Sequence, residues 1–350
     1  YIKSGVDSQG KITGFYHKVV SQGDAFYVEP HYEIKDVRNF TEQHNFGIPT
    51  GPWRSVDYTQ NIFAIECAVD ELAILAGVDP LQFRLNIAKS SRLKGVLQRV
   101  AEISNWDNTL PKGTGRGVAA FEGYGACIAH VVEISVSEEG FLKILKIFAV
   151  VDPGFPINPE NIRNQIIGSA IDALSTALNT EITIQNGQIQ QSGFHNYRWI
   201  RMEEIPDFEI EILTTSDQPS GMGEVGFPSV TPALCNAIYN AIGLRIRKLP
   251  IGKTPLLKSE DNKNDFEKFR FNSYPNPFVS EVLVEVILND LNKPNLQLII
   301  YDFLGKEVFK PKLNNIGNKF YSELNFENYP PGVYYAVVCF DNKRRSFPLI

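Results

Sequence analysis

Between Ser55 and Gly77 the stretch SVDYTQNIFAIECAVDELAILAG sets Ile62, Ile65, Val69 and Leu72 three or four residues apart, with Leu75 or Ala76 completing the stripe. That period belongs to a helix with one apolar face, and Gly77 is a natural stop for it. VDPLQFRLNIA restarts with Asp79 as N-cap and Pro80 at the first helical position. Asn158 and Pro159 repeat that start ahead of Ile162, Ile166, Ala170, Leu174 and Leu178, and a second stripe through Ile167 and Ile171 predicts burial on most sides.

Alternation takes over elsewhere. YIKSGVDSQGKITGFYHKVV predicts two strands around an Asp-Ser-Gln-Gly turn, HVVEISVSEEGFLKILKIFAVVD a hairpin turning at Glu139–Gly140, and EITIQNGQIQQ one turning at Asn186–Gly187. Mixed hairpins and long helices make residues 1–255 an α+β domain. The charged, turn-rich KSEDNKNDFEKFRF marks a linker at 256–271. Residues 272–350 then alternate in short strands (Val282, Val284, Val286; Leu296, Leu298, Ile300; Val333, Tyr335, Val337, Cys339), which predicts a small β-sandwich.

Composition narrows the function. The 350 residues are 43% hydrophobic and 21% charged, with a net charge of -6, which disfavours nucleic acid or an anionic membrane as partner and points to a small or neutral ligand. Cys67, Cys127, Cys235 and Cys339 lie far apart without a C-x-x-C, and His17, His31, His44, His130 and His195 fall at no metal-ligand spacing. A redox centre must therefore be borrowed. No apolar run approaches the roughly 20 residues of a membrane helix. The chain opens without an initiator Met or a signal peptide, and so reads as the interior of a longer protein.

Three loops could carry chemistry. GMGEVGFPSVTP sets Glu224 among Gly221, Gly223 and Gly226 ahead of a helix beginning near Thr231–Pro232; the glycines permit close backbone approach to a ligand and the helix start offers free amides. A solvated loop glutamate is the plainer alternative. GIPTGPWRSVDYTQN presents Trp53, Arg54 and Ser55 before a helix, donors that suit an oxyanion or a pair with a surface carboxylate. FEGYGACIAHVVE, residues 121–133, is a glycine-spaced lead into a strand, read first as a bulge. There is no H-E-x-x-H, G-x-S-x-G or Walker loop.

Taken in order, GPWRSVDYTQNIFAIECAVDELAILAGVDPLQFRLNIA, GRGVAAFEGYGACIAHVVEISV, VVDPGFPINPENIRNQIIGSAIDALSTAL and GMGEVGFPSVTPALCNAIYNAIGLRIRKLPI resemble the C-terminal part of the molybdenum-binding subunit of the xanthine dehydrogenase and aldehyde oxidase family, in particular its isoquinoline 1-oxidoreductase β-subunit group. The resemblance covers most of residues 1–251. It implies molybdenum–molybdopterin, in its cytosine dinucleotide form, and oxidation of an N-heterocycle or an aldehyde with water as oxygen donor. It gives Glu224 the role of general base and places Arg54 and Ser55 beside cofactor and substrate. Gly221, Met222 and Gly223 become backbone donors to the pterin, with Gly123, Gly125 and Ala126 as further contacts. The electrons would leave through a 2Fe–2S cluster on a small partner subunit. The glycine-rich N-terminal half of the family has no counterpart in these residues, so a longer subunit or a second chain would supply it.

YPNPF at 274–278, LIIYDFLGKEVF at 298–309 and YPPGVYYAVV at 329–338 resemble the sorting domain of the type IX secretion system. That implies contact with the secretion machinery and a secreted or cell-surface protein, with the periplasm as second choice. The rival reading is an exported, non-catalytic surface or binding protein that retains the fold.

Overall fold

The computed structural model describes residues 1–22, 26–253, 256, 269–275, 278, 280–288, 296–302, 306–330, 334–340 and 343–349. Two compact units emerge: Tyr1–Ile134 with Ile144–Ala241 and Arg245–Ile251, and Gly252–Ile350 with Ser135–Lys143 and Ile242–Leu244. Most of the expected linker at 256–271 lies outside the described residues.

The first unit opens with β1 (Ile2–Val6) antiparallel to β2 (Ile12–Gln22). Asp7 sets the turn by accepting from the amides of Gln9 at 2.8 Å and Lys11 at 2.9 Å. β3 (Val37–His44) joins β2 in parallel. Three helices follow: α1 (Tyr58–Leu75), α2 (Pro80–Ile87) and α3 (Ser91–Ser104). Asp79 caps α2 by accepting from Leu81 and Gln82, each at 2.9 Å, and Ser90 caps α3 by accepting from Leu93 at 3.0 Å.

A second sheet orders β4 (Thr114–Gly123), β5 (Ala126–Val136), β6 (Leu142–Asp152) and β9 (Asp207–Ile212), the last parallel to β6. Between β6 and β9 run α4 (Pro159–Leu178) and a two-residue hairpin, β7 (Ile184–Gln185) and β8 (Gln188–Ile189). The closing helix, α5 (Val230–Ile242), packs against β4 because two strand residues lack side chains. A Cβ on Gly115 would stand 2.4 Å from the Ala237 carbonyl, and one on Gly117 2.2 Å from that of Ala233. The first half of α4 leaves Asn161, Gln165 and Gly168 exposed; its second half is buried on most sides.

Charge sits deep in this unit. Arg84 of α2 is fully buried and pairs with Glu66 of α1 at 2.8 Å and with Asp70 at 3.5 Å. Glu66 also accepts from the Tyr32 hydroxyl at 2.6 Å and the Ala120 amide at 3.1 Å, so its lone pairs are used and its desolvation is offset. One carboxylate thereby ties α1, α2 and β4 together.

The second unit holds two four-stranded antiparallel sheets. One orders β10 (Phe269–Tyr274), β11 (Glu281–Leu288), β15 (Lys319–Asn325) and β14 (Asn314–Ile316); the other orders β13 (Glu307–Phe309), β12 (Gln297–Asp302), β16 (Tyr334–Phe340) and β17 (Lys343–Leu349). Val282, Val284 and Val286 of β11 share a core with Leu298 and Ile300 of β12 and with Ala336 and Val338 of β16. Facing sheets with a common core make a β-sandwich. Within the three motifs of this region, residues 276–277, 303–305 and 331–333 lie outside the described residues. The whole is α+β followed by all-β, as the patterning predicts.

Candidate active site

Two segments of the first unit, far apart in sequence, meet at Glu224. The turn before α1 holds Ser55 at φ 73° and Val56 at φ 47°, left-handed conformations that cost a non-glycine residue energy, a β-branched one most. That turn aims the Ser55 amide at Glu224 Oε1, 2.9 Å away. The Ser55 hydroxyl donates to the Glu224 carbonyl at 2.6 Å. Ser55 is fully buried, while Glu224 is half-buried.

Arg54 braces the same loop from one residue earlier. Its Nε donates to the Gly223 carbonyl at 2.7 Å and its Nη2 to Gln165 Oε1 of α4 at 2.9 Å, with Asp172 of α4 at 4.0 Å from Nη1. The guanidinium therefore holds protein groups on this side, and Trp53 is partly exposed beside it.

A third segment completes the surroundings of the carboxylate. Residues 123–126 form a tight two-residue turn between β4 and β5, with Tyr124 at φ 54° and Gly125 at φ 80°, in place of the bulge expected there. Tyr124 stands near the Glu224 carboxylate; burial first, and then the Glu224 charge, push its phenol up to about 12. It is therefore neutral across ordinary pH. Its ring meets Tyr58 at 5.1 Å and Phe121 at 6.2 Å, both edge to face. The Gly125 carbonyl accepts from Arg92 Nη1 at 3.0 Å and from the Ser220 hydroxyl at 2.9 Å, fastening the turn to the glycine loop. Arg92 forks onto Asp152 at 2.8 and 2.9 Å. Burial pushes the Asp152 carboxyl upward, but hydrogen bonds from Arg92 and the Gly154 amide outweigh it and hold the group below the usual carboxylate range.

The three loop glycines differ in purpose. A Cβ on Gly226 would lie 2.9 Å from the Ser169 side chain and 3.1 Å from the Ile166 backbone, so packing on α4 demands glycine there. Gly221 and Gly223 have nothing within 4 Å of such a Cβ, and neither has a positive φ. Among the described residues, the amides of Gly221, Met222 and Gly223 find no backbone acceptor. Open space over unpaired amides is what a ligand held by main-chain hydrogen bonds requires. Beside them a cavity of about 250 Å³ is lined by Asn158, the N-cap of α4, by Asn161 and Gln165 of α4 and by Ser220, Met222 and Gly223. Gly123, by contrast, is needed for the Phe121 ring, 2.4 Å from a Cβ placed there, and Ala126 is buried. Among the described residues no three His, Cys, Asp or Glu side chains could hold a metal ion, so a metal here would arrive with ligands of its own.

Sequence reasoning singled out Glu224, Arg54 and Ser55, and the structure brings them together. It missed Tyr124, although an aromatic between Gly123 and Gly125 is a recognisable turn signal.

Known families match the two parts of the chain separately: a molybdopterin cofactor-binding domain over residues 82–206, and a secretion system C-terminal sorting domain over 272–347. The chain joins a molybdopterin cofactor-binding domain to a secretion sorting domain. The first match contains Tyr124 and its flanking glycines, and lies between Arg54 and Glu224 in sequence. Among curated relatives, a membrane-bound aldehyde dehydrogenase named for pyrroloquinoline quinone, from Gluconacetobacter polyoxogenes, is 29% identical over 75% of this chain and 36% of its own length. Isoquinoline 1-oxidoreductase subunit beta of Brevundimonas diminuta is 30% identical over 57% of this chain and 26% of its own. The chain thus spans about a third of the first and a quarter of the second. Quinoline 2-oxidoreductase of Pseudomonas putida shares the fold with a TM-score of 0.63 at 14% identity, covering 71% of this chain and 60% of that one.

Proposed function

We propose that this chain supplies the glutamate-bearing part of a molybdenum hydroxylase, which oxidises an N-heterocycle or an aldehyde with water as oxygen donor. The observation that carries the reading is the carboxylate of Glu224, held by the Ser55 amide at 2.9 Å next to glycine amides that no backbone group among the described residues uses. The residues fit a bound pterin: Gly221, Met222 and Gly223 would hold it through their main chain, and Gly123, Gly125 and Ala126 would border it. The molybdenum cofactor, in its cytosine dinucleotide form, would supply two-electron redox chemistry.

Glu224 is the general base in this reading. An ionised carboxylate accepts a proton from water and so raises its nucleophilicity toward an electron-poor carbon. Ser55 keeps the carboxylate at one orientation, which lowers the reorganisation needed when the proton arrives. The rest of the family's glycine-rich half would come from a longer subunit or a second chain, and a small subunit with a 2Fe–2S cluster would take the electrons. The sorting domain supports export through the type IX machinery to the cell surface or beyond; the periplasm is the alternative station.

Glu224→Gln in the complete enzyme tests the role. The isosteric amide should leave folding and molybdenum content unchanged and lower turnover by roughly two orders of magnitude or more, as loss of a general base does. Near-normal turnover excludes the role, and a native enzyme without molybdenum favours the non-catalytic surface protein instead.

A further inference from the structure

We propose that Asp172 of α4 is a positioning residue that keeps the Arg54 guanidinium seated on the glycine loop and off the Glu224 carboxylate. The three nitrogens of the guanidinium end at three different groups. Nε donates to the Gly223 carbonyl at 2.7 Å and Nη2 to Gln165 Oε1 at 2.9 Å, both neutral acceptors, while Nη1 lies 4.0 Å from Asp172 Oδ2. Between Gln165 and Asp172 the fork passes over Gly168, where an added Cβ would stand 3.9 Å from Nη1. Positions 165, 168 and 172 share one stripe of α4, so the cation lies along the helix.

Charge distinguishes the third partner from the other two. The side chains of Arg54 and Asp172 are 24% and 15% exposed, and among the described residues neither has another ion-pair partner within 4.0 Å. Asp172 Oδ1 is buried and has no hydrogen-bond partner among the described residues. A carboxylate placed this way costs desolvation that one contact at 4.0 Å does not return, so stability does not account for it. Burial pushes its carboxyl up, and the Arg54 charge opposes that. The effect of the charge falls on Arg54, which has no other anion to hold it on α4.

Two adjacent residues carry the consequence to Glu224. Arg54 holds the carbonyl of Gly223, the peptide that leads into Glu224, and Ser55 holds the Glu224 carboxylate with its amide at 2.9 Å. Thr59 fixes the backbone between them by donating to the Arg54 carbonyl at 2.8 Å. A guanidinium released from α4 has Glu224 as the anion on the loop it already touches. An ion pair there would tie up the lone pairs that must take a proton. With its counter-charge in place, Arg54 acts as a brace on the loop.

The catalytic side of this role rests on Glu224 being the base; the seating of Arg54 does not, and the experiment separates them. Hydrogen exchange on the full-length protein reads the seating through the Ser55 and Phe227 amides, which donate to the Glu224 carboxylate at 2.9 Å and to its carbonyl at 3.2 Å. Asp172→Asn keeps the shape and removes the charge. It should speed exchange at both amides by about five- to tenfold, the scale of one charged contact, and leave α3 unchanged. In the double variant with Arg54→Gln the change at 172 should add nothing to that of Arg54→Gln alone, because its effect passes through the guanidinium. Exchange within about twofold of the parent in Asp172→Asn, or full additivity in the double variant, overturns the proposal. Should Asp172→Asn alone not fold, recovery of folding in the double variant supports the pairing, and continued failure overturns it. In the complete enzyme Asp172→Asn should lower kcat by about five- to tenfold with KM unchanged. A site that loosens without loss of kcat supports the seating and counts against Glu224 as the base.

Discussion

Ser55 and Glu224 hold each other twice: the Ser55 amide donates to the carboxylate at 2.9 Å, and the Ser55 hydroxyl donates to the Glu224 carbonyl at 2.6 Å. The first bond orients the side chain, and the second fixes the backbone from which it hangs. Ser55→Gly keeps the amide and suits the left-handed φ, losing only the hydroxyl bond. Turnover should fall by less than about tenfold, the scale of one net hydrogen bond. Tyr124→Phe removes the neutral phenol near the carboxylate and should have an effect no larger than that, with folding retained. Steady-state kinetics on both variants against Glu224→Gln checks the ranking, and a loss in either variant equal to that of Glu224→Gln contradicts it.

The loop glycines and the strand glycines should respond oppositely to alanine. Gly223→Ala meets open space, so thermal stability should hold while molybdopterin content falls. Gly117→Ala drives a Cβ to 2.2 Å from the backbone of α5 and should cost about 1–3 kcal/mol or more through overpacking. Melting temperature and cofactor content, measured on the same samples, separate the two effects. Equal cofactor content in Gly223→Ala and the parent would remove the argument for a ligand over that loop.

Replacing Arg84 by Met leaves Glu66 without its buried counter-charge, while Asp70 keeps Arg245 at 2.8 Å. Breaking one partner of such a network costs about 3–5 kcal/mol, and denaturant unfolding should show a loss of that order without any direct effect on the site. A midpoint within error of the parent would mean that the carboxylates find other partners.

Acid should destabilise the first unit before its carboxylates titrate fully. Burial holds His130 down to about 3, and burial with the nearby N-terminal charge holds His17 down to about 4. Both lie below the ordinary value of 6.5. The folded state keeps them neutral while the unfolded chain binds protons, so their contribution is present above about pH 6.5 and is lost as pH falls toward 4 and 3. Melting temperature should drop across that window, and His130→Gln should shallow the slope. A variant with the parent's slope would show that His130 does not contribute.

Much of the scaffold was legible because its punctuation is local. Asp79–Pro80, Asn158–Pro159 and Asn186–Gly187 each settle a turn or a helix start within a few residues, and the structure places α2, α4 and the β7–β8 hairpin there. What escaped depends on distant partners. α3 has a clear stripe of Leu93, Val96, Leu97 and Val100, but Gly95 and four charged residues disguise it. β3 pairs in parallel with β2, and β9 with β6, pairings that no adjacent turn announces. At the site, the family resemblance pointed to Glu224, Arg54 and Ser55 without saying that they touch. Tyr124 was passed over because its importance is a contact made across the sheet edge, and Arg54 takes on its bracing role only once Gly223 and Gln165 arrive.

The span of 169 residues between Ser55 and Glu224 ties the site to the order in which the chain is made. A ribosome that has released the Ser55 turn, α1 and the whole of the second sheet has still not produced the carboxylate. The glycine loop and its carboxylate arrive among the last parts of the first unit, followed by α5 and by Arg245 and Arg247, which pair with Asp70 and Glu71 of α1. A cofactor that depends on that loop can settle only on a chain whose first unit is essentially finished, so the site itself distinguishes completed molecules from truncated ones.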